Sequence, residues 1–74
     1  MAVAKIKLNT VADVKDFVNA AEKCQHDVDV SYNRVVIDAK SLMGVMTMDL
    51  NNILTVNYHE EDAFLADTLA RFAV

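Results

Sequence analysis

Seventy-four residues, 54% hydrophobic and 24% charged, make one small domain whose core must be largely aliphatic, because aromatics are only 7%. One cysteine excludes an internal disulfide and a thiolate metal cage, and no proline with a single glycine excludes linker-like and collagen-like chains. Seven basic against eleven acidic residues, net −4, argue against a nucleic-acid backbone or an anionic membrane as partner.

From the N-terminus, Ala2, Ala4, Ile6 and Leu8 alternate with Val3, Lys5 and Lys7, the pattern of a half-buried strand over residues 2–8. Nothing there resembles the uninterrupted apolar stretch of a signal peptide, and no run approaches the roughly 20 residues of a membrane span. A cytoplasmic protein is therefore expected. Thr10 then opens a helix, with Asp13 three residues on in a near capping box. Val11, Val14, Phe17, Val18, Ala21 and Cys24 recur at helical spacing, so the helix is predicted to end near Cys24 or Gln25.

Val28, Val30 and Tyr32 alternate with Asp27, Asp29 and Ser31 in a second strand. A tight Asn33-Arg34 turn leads into a third strand running to Ala39, rich in β-branched residues. Ser41 caps a short helix predicted over Leu42 to about Leu50. After a turn at Asn51-Asn52, Ile53 to Tyr58 alternates as a fourth strand. Glu60, Glu61 and Asp62 put negative charge where a last helix begins, which the helix dipole favours. Leu65, Ala66, Leu69, Phe72 and Ala73 form that helix's apolar stripe.

The order is β-α-β-β-α-β-α over 1–74. Polar residues at Lys5, Lys7, Asp27, Asp29, Ser31, Thr55 and Asn57 give the strands one wet face, so the class is α+β. A four-stranded antiparallel sheet with three helices on one face follows. A ferredoxin-like sheet with an added helix is the alternative.

The middle helix is unusual. Leu42, Met43, Val45, Met46, Met48 and Leu50 lie nearly all round its circumference, and a short helix on a small sheet cannot bury all of them. Three methionines in six residues suit an adaptable docking surface, with full burial in the core as the plainer reading. Ser41 at the start of this helix serves as a cap, and the same position accepts a phosphate.

The segment Asp38-Ala39-Lys40-Ser41-Leu42-Met43-Gly44-Val45-Met46-Thr47-Met48 resembles the regulatory-serine segment of HPr, the histidine-containing phosphocarrier of the bacterial sugar phosphotransferase system. Asp27 to Asn33 resembles the strand and Tyr-Asn turn that precede it. The resemblance implies the open-faced β-sandwich of HPr. It makes Ser41 the serine phosphorylated by an ATP-dependent HPr kinase/phosphorylase, with Lys40 before it. Leu42, Met43 and Met46 become the apolar patch on which enzymes, transport components and a catabolite-control repressor dock, with Lys40 as a further docking residue. It implies no cofactor.

The chain departs from the family where HPr carries its phosphoryl group, on a histidine in a Gly-[Ile/Leu]-His-Ala-Arg-Pro segment. The corresponding Leu8-Asn9-Thr10-Val11-Ala12-Asp13 has no His, Arg or Pro, and Thr10 falls at or near the histidine position. A hydroxyl does not replace a phosphoramidate-forming imidazole, and the arginine that would stabilise the phosphoryl group is missing. His26 and His59 each lack an adjacent basic anion site and lack metal-ligand spacing along the chain. Cys24 reads as a packing thiol, and Thr47 as a polar helix position.

Three functions stay open: a non-enzymatic regulatory module switched at Ser41, a phosphocarrier using an unorthodox histidine, and a plain interaction domain with Ser41 only as a cap.

Overall fold

The computed structural model describes residues 1–74. Its elements run β1 (Ala2–Ile6), α1 (Val11–Glu22), β2 (Asp29–Tyr32), β3 (Val35–Asp38), α2 (Leu42–Met46), β4 (Leu54–Tyr58) and α3 (Ala63–Phe72). The strands form one sheet in the order β1-β4-β2-β3, every neighbouring pair antiparallel. A ferredoxin-like sheet would centre β1 and β3; here β4 and β2 are central. No helix is long and apolar enough to cross a membrane.

Period-two alternation sets the register. Ile6 faces Leu54, Ala4 faces Val56, and Val30 faces both Val56 and Ile37, so one face carries a continuous apolar row. On the opposite face Asn57 donates to the Asp29 carboxylate at 2.9 Å. Phe17, Val14 and Val18 of α1 and Leu65 and Leu69 of α3 bury against the apolar row. The end of α3 and the residues after it pair along β1 and just beyond it: Lys7 donates to the Phe72 carbonyl, Val74 donates to the Lys5 carbonyl, and Ile6 bridges Ala73. That cover leaves β3 as the open edge of the sheet.

Several expectations are corrected at element ends. The first strand closes at Ile6, although Leu8 is still buried. The middle helix stops at Met46 instead of near Leu50, because Thr47 and Met48 turn back onto Gly44 and Val45 with tight bonds of 3.1 Å. Asp49 then caps Asn51 N–H in a separate turn. Glu60 and Glu61 lie before α3, in a turn where Glu61 N–H donates to His59 Nδ1, and Asp62 takes the N-cap position without a side-chain cap bond. Val11 is half exposed at the first position of α1, Cys24 lies beyond that helix, and Ala73 has left α3 for the bridge to Ile6. Buried Thr68 completes the α3 stripe, its hydroxyl donating to the Phe64 carbonyl at 3.1 Å. Sequence periodicity passed over Thr68 because a threonine that bonds back to the helix presents its methyl to the core.

Candidate functional site

Ser41 sits between β3 and α2 with extended backbone (φ −97°, ψ 104°) and an exposed side chain. Its Oγ accepts from Gly44 N–H at 3.2 Å. The hydroxyl thus caps α2 as an acceptor, and this bond makes no use of its own proton. The approach to Ser41 is held from both sides. Ser41 N–H donates to the Asp38 carbonyl at 3.0 Å, and Lys40 N–H donates to Asp38 Oδ1 at 2.9 Å.

The Lys40 ammonium reaches the Cys24 carbonyl at 3.2 Å, tying this loop to the chain just past α1. A cation is favoured there by the negative end of the helix dipole. The lysine that sequence comparison placed at a docking surface is thereby half-buried and engaged inside the molecule.

Gly44 is where α2 lies closest to the sheet. A Cβ at this position would stand 2.8 Å from Ile37 Cγ2 and 3.1 Å from Ser41 Oγ. Only a residue without a Cβ lets α2 approach β3 this closely and keeps the Ser41 cap bond in place.

The apolar side chains of α2 divide by facing. Val45 is fully buried, Met48 beyond the helix is buried, and Leu42 and Leu50 pack half-buried against the core. Met43 is 83% exposed and Met46 47% exposed, three residues apart and so on neighbouring helix positions. Below the end of α2, Tyr32, Val35, Thr47, Met48 and Asp49 enclose a shallow cavity of about 140 Å³. Of the three residues expected to form the docking patch, Met43 and Met46 are open to solvent, and Leu42 is largely a core anchor. Thr47 is occupied locally, its hydroxyl donating to the Gly44 carbonyl at 2.6 Å.

At the start of α1, Thr10 is the N-cap. Its Oγ1 accepts from Asp13 N–H at 3.1 Å, while Asp13 Oδ2 accepts from Asn9 N–H at 3.0 Å. The pair satisfies one free donor of the helix, Asp13 N–H, and the N–H of Asn9 before it, so Asp13 reaches one residue further back than in a capping box. It leaves this turn with a carboxylate and without a cation, the reverse of a phosphoryl site.

The two histidines meet at the other end of the molecule. Their rings stack with centroids 3.9 Å apart and planes 12° from parallel. His26 Nδ1 lies 3.3 Å from Asp62 Oδ2. Sequence separation hid this grouping, because it depends on the turn after α1 and the turn after β4 folding against each other. Cys24 is nearby: burial, and then the Asp62 carboxylate, push its thiol pKa up, which keeps it protonated as a packing group.

A family model described as the PTS HPr component phosphorylation site matches residues 13–72. The match begins beyond Thr10 and takes in the whole Ser41 segment. No solved structure matches the chain. Since that match spans most of the chain and the antiparallel sheet with its helical layer agrees with it, this chain belongs to the HPr family of phosphocarrier-like proteins related to the phosphotransferase system.

Proposed function

We propose that this chain uses the HPr scaffold as a regulated docking module in one domain over 1–74. Ser41 is its switch, and Met43 and Met46 with the exposed part of Leu42 are its contact surface. The observation that carries this reading is the contrast between the two helix starts. Ser41 presents an exposed hydroxyl next to solvent-facing methionines, whereas Thr10 and Asp13 fill the phosphoryl-carrying position with a neutral cap and a carboxylate.

Phosphorylation at Ser41 would add about −1.5 to −2 charges beside an apolar surface. The neighbouring Asp38 is acidic and the Lys40 ammonium is engaged at Cys24, so little of that charge is neutralised within the chain. Partners that bind the bare methionine surface lose affinity, and partners with a complementary basic site gain it. The chemistry suits an HPr kinase/phosphorylase as the modifying enzyme and a regulator or transport component as the docked protein, in the cytoplasm.

Incubation with an HPr kinase/phosphorylase and ATP, followed by mass spectrometry, tests this. The expected result is one phosphate on wild type, mapped to Ser41, and none on Ser41→Ala. Wild type that stays unmodified while a conventional HPr in the same tube is phosphorylated would remove the switch.

A further inference from the structure

We propose that His26, His59 and Glu61 form a binding site for a divalent transition metal ion of the zinc class. One ligand atom from each of these residues lies within 4.8 Å of the others. Two imidazole nitrogens and one carboxylate oxygen are the donor set of open zinc sites, with water in the fourth position. The grouping uses neither Ser41 nor the start of α1, and Lys40 of the Ser41 segment touches only the neighbouring Cys24 carbonyl.

Each ligand is placed by a different piece of the fold. His26 leaves the turn after α1, His59 follows β4, and Glu61 precedes α3. Asp62 accepts from His26 Nδ1 at 3.3 Å, which puts the proton on that nitrogen and leaves Nε2 with the free lone pair. A carboxylate holding the far side of a histidine is the arrangement that orients metal-bound imidazoles. His59 Nδ1 accepts from Glu61 N–H at 3.2 Å, a single weak contact that an ion replaces on binding.

Ligand atoms around a tetrahedral zinc stand about 3.4 Å apart, given bonds of about 2.0–2.1 Å. To bind one ion the two stacked rings tilt out of their parallel arrangement until both lone pairs meet, and the exposed Glu61 side chain closes on the same point. A cavity of about 290 Å³ lined by His26, Glu61, Asp62 and Cys24 opens beside them and gives solvent access. Glu61 and Asp62 on the cavity wall outnumber Lys23, the one cation lining it, and favour a dication.

The test is titration of the full chain, free of any histidine tag, with zinc chloride by calorimetry, together with nitrogen NMR of the histidine rings. The expected result is one ion per chain with micromolar affinity, and shifts of ring nitrogens in both histidines. His26→Ala and His59→Ala should each weaken binding by about tenfold or more, and Glu61→Gln should weaken it less. Circular dichroism checks that the variants fold. No saturable binding, or binding that leaves both histidine rings unshifted, would overturn the site. The ring shifts are read on wild type, so the second criterion holds even where a variant fails to fold.

Discussion

Phe17→Ala is expected to cost about 3–5 kcal/mol, a large share of the chain's whole stability. Phe17 is the largest of the fully buried side chains, on the face of α1 that meets the sheet and the other helices. Truncation removes its transfer free energy and leaves a cavity that a close-packed interior refills only in part. A chain of this length holds only roughly 4–11 kcal/mol in total, at about 0.05–0.15 kcal/mol per residue. Urea unfolding followed by circular dichroism measures the loss. A cost under about 1 kcal/mol would mean that α1 is not packed as described.

Gly44→Ala is expected to lower stability by up to about 2 kcal/mol, although alanine is the better helix former. Helix propensity alone favours the substitution by about 1 kcal/mol. Against that stands a Cβ only 2.8 Å from Ile37 Cγ2, inside any normal contact distance. Ile37 is β-branched, stiff at χ1 and fixed opposite Val30 in the sheet, so the methyl has little freedom to yield. Overpacking of this kind costs about 1–3 kcal/mol. Thermal melting should show a midpoint lowered by roughly 4–8 °C for each kcal/mol lost. The loss should shrink in an Ile37→Ala background, because the two positions are in contact. A raised midpoint for Gly44→Ala alone would show that α2 stands further from β3. The consequence for function is direct, since any shift of α2 also moves the Gly44 N–H that Ser41 caps.

The strand and helix order was legible because periodicity and burial agreed almost everywhere. Ala2 to Ile6, Asp29 to Tyr32 and Leu54 to Tyr58 alternate as half-buried strands must, and Asn33 at the hairpin takes the left-handed φ of 54° that asparagine tolerates. What the sequence concealed came from contacts between distant segments. The apolar residues after Met46 read as continued helix, yet local bonding at Thr47 ends it and sends Met48 into the core. Lys40 looks like a free surface lysine until the fold sets the Cys24 carbonyl against it. His26 and His59, thirty-three positions apart, stack only because two turns converge. Ala73 fits an apolar helical stripe by spacing, but its backbone bridges to β1 instead. The serine segment was legible for the opposite reason: its pattern is carried by consecutive residues.

This HPr-family scaffold is expected to take no phosphoryl group on histidine, neither at the start of α1 nor at His26 or His59. Exposure to phosphorylated Enzyme I carrying labelled phosphate measures that most directly, with a conventional HPr as the positive control and acid treatment to distinguish phosphohistidine from phosphoserine. The control is expected to take acid-labile label while this chain takes none. Acid-labile label on His26 or His59 would contradict it, and would make the chain a carrier working from the opposite end of the fold.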